Sequence, residues 1–131
     1  MSQDERLNIL DTLARYQRYS ADARYDDWAD LFAENGEFIG IDEVPQSGHE
    51  ALAKHIESKH PEPRGVTKNI TANPIIEING DMATAISDFV LVEISDQSSI
   101  LLAGRYEDEL RKEPSGWKFV LRRMVYAKQG K

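Results

Sequence analysis

The sequence predicts an α+β fold in which helices come first and a sheet of long antiparallel strands follows. In the first half of the chain, apolar residues recur at spacings of three and four, which is typical of amphipathic helices. From Val66 onward, apolar and polar residues alternate with a period of two, which indicates strands. Turn signals separate these alternating segments, and connections this short make neighbouring strands antiparallel.

The first half predicts three helices. The first covers about residues 4–21, with Asp4 as N-cap. The second follows a cap at Asp26 or Asp27, carries Trp28, Leu31 and Phe32 on its apolar side and is ended by Asn35-Gly36. Residues 37–41 form a short strand candidate. Ser47 and Glu50 have the capping-box spacing and open a third helix, which Pro61 and Pro63 end.

The second half predicts four strands, over residues 66–78, 82–94, 100–111 and 117–126. Asn79-Gly80 is a strong two-residue hairpin signal, and Asp96–Ser99 and Pro114–Gly116 form the other turns. Strands this long twist and curl, and Gly104 is an expected bend. A curled sheet covered on its concave face by helices encloses a cavity suited to a small ligand.

Composition excludes several classes of function. A chain of 131 residues fits one domain, 1–131, and it contains no cysteine for disulfides, thiol chemistry or cysteine-based zinc sites. A net charge of −7 argues against nucleic acid and anionic membranes as partners. The N-terminal segment is polar and no apolar run approaches the roughly 20 residues of a membrane helix, so we expect a cytoplasmic protein.

Two residues near the end of the first helix are the catalytic candidates. Asp22 lies between Ala21 and Ala23, and a carboxylate facing a cavity would have a raised pKa and could serve as general acid or base. Its alternative interpretation is a solvated helix-terminal residue. Tyr16 lies six residues earlier on the same helix.

The strands and the second helix supply candidate substrate-binding residues. Asn69 and Asn73 share one face of the first long strand and would bind a ligand if that face is concave, or water if it is not. Asp88 interrupts an apolar face, and Arg123 is its natural partner. An Asp88–Arg123 or Asp22–Arg123 ion pair would be either structural or functional. Trp28 and Phe32 complete the candidates, although aromatic residues in this pattern are more often core.

No metal or cofactor is expected. The three histidines His49, His55 and His60 lack the i, i+4 spacing of a helical metal site. There is neither a glycine-rich phosphate loop nor a nucleophile elbow.

The order of several short motifs resembles the SnoaL-like branch of the nuclear transport factor 2-like superfamily over essentially the whole chain. These motifs are Arg15-Tyr16, Asp22, Asp27–Phe32, Asn35–Phe38, Gly48–Leu52, Asn73, Asn79–Ala83, Gly104–Leu110, Ser115–Phe119 and Arg122-Arg123. The resemblance implies a cone-shaped, curved, antiparallel-rich sheet packed against the N-terminal helices, the cystatin-like α+β barrel, with a pocket at its open end.

The resemblance is nearest to scytalone dehydratase and lindane dehydrochlorinase, and it implies an aspartate that orients a proton-abstracting histidine. Asp22 falls at the aspartate position, but Asn69 falls at the histidine position, and an amide cannot act as a general base. Tyr16 fits a pocket tyrosine of the ketosteroid isomerases, whose base aspartate would fall near Gly40.

Two functions therefore remain open. One is a cofactor-free lyase or isomerase acting on a small, largely apolar, oxygenated molecule, with Asp22 as acid/base and Tyr16, Asn69 and Asn73 polarising a substrate oxygen. The other is a non-catalytic binding or accessory protein on the same fold. We also expect a homodimer or homotrimer formed through outer strand residues, with Phe89, Leu91, Leu101 and Ala103 as candidates.

Overall fold

The computed structural model describes residues 2–59, 67–94 and 99–126. Three helices, α1 to α3, pack against one sheet of six strands in the order β2-β1-β6-β5-β4-β3. The helices are α1 Ser2–Ala21, α2 Tyr25–Ala29 and α3 His49–Ser58, and the strands are β1 Phe32–Ile39, β2 Pro45–Ser47, β3 Thr67–Asn79, β4 Met82–Glu93, β5 Ser99–Glu113 and β6 Gly116–Tyr126. No helix in the described ranges is long and apolar enough to cross a bilayer.

The predicted α+β class is confirmed, with the helices lying on a curled, unclosed sheet. The four long strands β3 to β6 form three antiparallel neighbour pairs, as their short connections require. Gly80 adopts a positive φ of 64° in the hairpin between β3 and β4, the conformation that an Asn-Gly turn uses. Residues 61–63 and 96–98, where a helix end and a turn were predicted, lie outside the described ranges.

The segment after α2 differs from the prediction. The second helix ends at Ala29, and Phe32 starts β1, so that Asn35 and Gly36 lie within a strand. β1 pairs in parallel with β6, and the pairing is irregular between Phe32 and Glu37. A run such as Leu31-Phe32-Ala33 has no clear period, so its neighbours in the sheet decide its conformation.

The predicted capping box is also wrong. The residue before α3 is Gly48, which makes no side-chain cap, and Ser47 instead belongs to β2. The Ser47 hydroxyl donates to the Gly36 carbonyl at 3.0 Å, across the β1–β2 pair.

An aromatic cluster forms the centre of the core. Trp28 is fully buried, with its ring 5.3 Å from that of Tyr16, 5.1 Å from Phe32 and 5.6 Å from Phe38. Trp28 and Phe32 therefore stabilise the packing of α1 and α2 on the sheet. Neither lines the cavity described below, which corrects their expected role as substrate-binding residues.

Two strand irregularities decide which side chains face inward. Between β5 and β6, Glu109 pairs with Leu121 but Leu110 pairs with Phe119, so β6 carries one extra residue. An extra residue reverses the alternation of faces beyond it. Arg122 is consequently buried, whereas Arg123, expected on the inner face, is exposed.

A second irregularity interrupts β3 between Ala72 and Ile75. Asn73 lies in it with a positive φ of 58°. Asn69 and Thr71, on one side of the irregularity, and Ile76, on the other, are at least partly buried, while Asn73 is exposed. The pattern that places four polar residues on one face of this strand therefore holds only as far as Thr71.

Candidate functional site

The helices and the curled sheet enclose a cavity of about 830 Å³. Its walls include Gln17 and Ser20 from the last turns of α1 and Thr67 and Asn69 from the start of β3. This confirms the predicted location between the end of the first helix and the first long strand. Apolar side chains form much of the remaining surface, among them Phe38, Ile56, Leu91, Leu102 and Met124.

A small polar cluster interrupts this apolar lining. The Asn69 side-chain amide donates to the Tyr106 hydroxyl at 2.9 Å. The Gln17 amide donates to Thr71 at 2.7 Å and approaches the same Tyr106 hydroxyl at 3.4 Å. Amide N–H groups from α1 and β3 thus occupy the accepting side of the Tyr106 oxygen, which β5 supplies.

One hydrogen-bonding atom of this cluster has no partner among the described residues. The Tyr106 hydroxyl accepts from Asn69 and Gln17 and also hydrogen-bonds with the Tyr16 side chain. Asn69 Oδ1 is buried and accepts none. Because a buried polar group without a partner costs free energy, the cluster favours a ligand or water that donates to Asn69 Oδ1.

Tyr16 lines the same part of the cavity and is almost fully buried. Burial raises the pKa of Tyr16 well above its ordinary value, and the neighbouring Tyr106 raises that pKa further, whereas Arg122 opposes the shift. Tyr16 therefore keeps its proton at any physiological pH. It can donate a hydrogen bond, but it cannot serve as a general base.

A buried ion pair lies behind the two tyrosines. Arg122 Nε is 2.9 Å from Asp108 Oδ1, and both side chains are fully buried. Burial raises the pKa of Asp108 to about 6, and the Arg122 guanidinium opposes this shift. The guanidinium carbon lies 3.6 Å from the ring centroid of Tyr106 and 4.2 Å from that of Tyr16, so the cation is enclosed by aromatic faces.

The pairing of Arg122 with Asp108 replaces the pairing predicted for Arg123. Asp88 was expected to interrupt an inward face, but the inward residues of β4 are Ala83, Ala85, Ser87 and Phe89. Asp88 is exposed and accepts a hydrogen bond from Asn73 at 2.9 Å. Asn73, Asp88 and Arg123 thus lie on exposed surface, outside the cavity lining.

Asp22 does not reach the cavity either. It is exposed at the end of α1, where its backbone N–H bonds to the Arg18 carbonyl, and it is not among the lining residues. The next residue, Ala23, has a positive φ of 60° and the chain turns there. Tyr16 and Asn69 are the predicted site residues that the structure brings together, and Tyr106, Gln17 and His55 join them.

His55 is not among the predicted site residues, because its spacing matches no metal site. Its side chain lines the cavity from α3, half-buried, with its ring 5.5 Å from that of Phe38. Burial lowers the pKa of His55, nearby Lys59 lowers it further, and Asp42 opposes the shift. Within the described residues no group of three or more histidine, aspartate or glutamate side chains could hold a metal ion.

Comparison with known proteins agrees with this architecture. Residues 2–123 match the SnoaL-like domain. The chain belongs to the SnoaL-like family. No curated protein matches the chain in sequence.

Solved structures of SnoaL-like architecture superpose on nearly the whole chain. Rv3472 of Mycobacterium tuberculosis, a protein of unknown function, is 27% identical with a TM-score of 0.88, covering 97% of this chain and 74% of its own. An NTF2-like protein with a cystatin-like fold from Novosphingobium aromaticivorans is 20% identical with a TM-score of 0.87, covering 98% and 85%. A proposed scytalone dehydratase from the same organism is 20% identical with a TM-score of 0.81, covering 97% and 87%. Identities this low establish the shared fold, and some of the proteins that carry it are described as enzymes.

Proposed function

We propose that this SnoaL-like protein binds a small, largely apolar molecule carrying a hydroxyl group and acts on it as a cofactor-independent lyase or isomerase. The observation that carries the proposal is the unmatched acceptor in the cavity wall. Asn69 Oδ1 is buried and accepts no hydrogen bond from a described residue, and the amide of the same side chain donates to the Tyr106 hydroxyl. A ligand hydroxyl can donate to Asn69 Oδ1 and so satisfies it.

The size and lining of the cavity support a ligand of this class. A volume of about 830 Å³ lies within the range of small-molecule sites, and apolar side chains surround the polar cluster. The polar groups would orient the ligand, and the apolar walls would supply most of the binding free energy.

The same cluster suits the chemistry of an enol or enolate. Tyr106 and Tyr16 are buried phenols held beside a guanidinium, so negative charge that develops on a substrate oxygen would meet preorganised donors. Donors fixed in a site of low dielectric constant stabilise such charge more than water does. Negative charge develops on the carbonyl oxygen when a proton is abstracted from the neighbouring carbon. The same charge develops when a β-hydroxy carbonyl compound loses water through an enolate.

A matched pair of ligands tests the binding site. 2-Indanol and indane differ by one hydroxyl, and both fit a cavity of this size. We expect wild-type protein to bind 2-indanol about fivefold more tightly than indane, since one hydrogen bond contributes about 1 kcal/mol. Tyr106→Phe removes the hydroxyl that holds the Asn69 amide, so it should abolish that difference and leave indane affinity nearly unchanged, as measured by calorimetry or NMR titration.

Tyr126→Phe is the control, because it removes the hydroxyl of a tyrosine that lies outside the cavity lining. The proposal is wrong if Tyr106→Phe discriminates between the two ligands as well as wild type does.

The alternative is a non-catalytic binding or accessory protein, and one position favours it. Asn69 occupies the wall where the resemblance implies a histidine, and an amide cannot take up a proton. Under this alternative a β-hydroxy ketone incubated with the protein is recovered unchanged after binding. Under the lyase proposal, mass spectrometry shows loss of water from it.

A further inference from the structure

We propose that His55 is the proton acceptor of this cavity, a role that the resemblance places instead on the strand position occupied by Asn69. This inference rests on the proposed function, because it names the base for the same site. His55 comes from α3, whereas Tyr106 and Asn69 come from β5 and β3. All three residues line one cavity. The imidazole of His55 and the phenol of Tyr106 therefore reach a bound ligand from different walls.

The imidazole is free to take a proton. His55 is half-buried, and its ring packs against Phe38 with an interplanar angle of 52°. Neither ring nitrogen makes a hydrogen bond or ion pair with another described residue, whereas the Ser58 hydroxyl binds only the backbone carbonyl of His55. His49, at the other end of α3, has both ring nitrogens occupied by carboxylates, Asp26 at 3.2 Å and Asp30 at 2.8 Å.

The charged groups around His55 favour its neutral form. Burial lowers the pKa of His55, and Lys59, four residues later and directly after the end of α3, lowers it further, while Asp42 acts in the opposite direction from the loop after β1. Among the residues that the structure describes, the other charged ones lining the cavity are Arg18 from α1, Lys68 from β3 and Glu93 from β4. A neutral imidazole at neutral pH has the lone pair that a general base needs.

A complete proton cycle can be written for a β-hydroxy ketone. A neutral His55 nitrogen takes the proton from the carbon next to the carbonyl. The C–H electron pair forms the C=C bond of an enolate, and the carbonyl π pair moves onto the oxygen, where the Tyr106 hydroxyl donates to it. As the carbonyl reforms, the enolate C=C pair forms the new double bond to the β carbon, the β C–O bond breaks, and the departing hydroxide takes the proton from His55 and leaves as water. Return of the proton to another carbon gives isomerisation instead, and neither route needs an oxidant or a metal.

A general probe for a base in an apolar cavity tests this directly. Removal of the ring C–H proton of 5-nitro-1,2-benzisoxazole breaks its N–O bond and yields a coloured 2-cyano-4-nitrophenolate. We expect His55→Gln to slow this reaction by at least tenfold at saturating probe, since a positioned general base contributes about 10²-fold or more. His49→Gln is the matched control on the same helix and should retain the wild-type rate.

The pH profile separates a base from a structural role. For wild type, kcat should rise with pH and then reach a plateau. The inflection of this curve should lie at a pH below the ordinary histidine pKa of about 6.5. His55→Gln should lose this inflection while it still binds 2-indanol. An NMR titration of the imidazole nitrogens of wild-type protein, which needs no variant, should show His55 titrating at the same lowered pH.

Three results would overturn the inference: a wild-type rate in His55→Gln, loss of the rate in Glu93→Gln instead, or a His55 ring that titrates above the ordinary value. None of these results affects the proposed function if Tyr106→Phe still abolishes the difference in affinity between 2-indanol and indane. A wild-type protein that binds the two compounds equally tightly would contradict the proposed function itself.

Discussion

At the scale of single residues, a buried charged pair lies behind the cavity wall and outside its lining. Arg122 is fully buried, and its terminal nitrogens have no hydrogen-bond partner among the described residues. Its stabilising contacts are Asp108, at 2.9 Å, and the faces of Tyr16, Tyr106 and Phe119. Removing water from two charges is costly, so this pair stabilises the fold only while both members are present.

A double-mutant cycle tests that interdependence. Asp108→Leu alone should lower the free energy of unfolding by about 3–5 kcal/mol, because it leaves a buried and unpaired guanidinium. The double variant Asp108→Leu/Arg122→Met should recover most of that loss, since apolar residues of similar volume need no counter-charge. Urea unfolding monitored by circular dichroism measures the cycle, and additive losses in the two single variants would contradict the interdependence.

At the scale of elements, strand irregularities and one glycine shape the site. The extra residue in β6 turns Arg122 inward and Arg123 outward. The irregularity in β3 ends the inward run of polar residues after Thr71. At Gly104 the backbone of β6 approaches β5 so closely that an added Cβ would collide with the Val125 carbonyl and the Tyr126 backbone. Gly104 was predicted as a bend, and this close approach leaves no room for a side chain at that position.

Two glycine variants distinguish the loss of stability caused by a steric clash from the loss caused by a positive φ. Gly104→Ala should lower the free energy of unfolding by about 2–3 kcal/mol, the cost of forcing extra volume into packed structure. Gly80→Ala meets no atom within 4 Å, so it should cost only the roughly 1 kcal/mol of a positive φ at alanine. Thermal and urea unfolding compare the two variants, and a larger loss in Gly80→Ala would contradict the steric explanation.

At the scale of the whole molecule, the outer face of the sheet carries exposed apolar side chains. Ile75 and Ile86 are cross-strand partners with exposed fractions of 66% and 48%, and Ile70 and Ile100 are exposed on the same sheet by 56% and 68%. Three of the four residues expected to form this surface do not lie there, because Phe89 is buried and Leu91 and Leu101 line the cavity. We propose that the isoleucine surface mediates self-association into a homodimer or homotrimer.

Charge placed on that surface tests the proposal. Ile70→Lys/Ile86→Lys should convert an oligomer into a monomer without changing 2-indanol affinity, because a desolvated lysine opposes association. Leu7→Lys, at a residue of α1 that is 60% exposed, is the matched control and should leave the assembly unchanged. Sedimentation velocity measures the mass of each, and a monomeric wild type at high micromolar concentration would refute the proposal.

Apart from the short strand β2, the order of helices and strands was predictable from the sequence, as were the two hairpin turns at Gly80 and Gly116 and the family. These depend on local signals, namely the apolar period, Asn-Gly and Pro-Ser-Gly turns, and short motifs in a characteristic order. That Tyr16 and Asn69 lie close to the cavity could be predicted for the same reason, since both belong to regular parts of α1 and β3.

Only the tertiary structure decided which faces turn inward and which side chains meet. β4 carries apolar residues on both faces, so alternation by itself cannot say that Ser87 faces inward and Asp88 outward. The extra residue in β6 exchanges Arg122 and Arg123, and it becomes visible only when the register with β5 is known. Tyr106, Gln17 and His55 come from three distant segments, and the curl of the sheet, which has no local signature, brings them to one cavity.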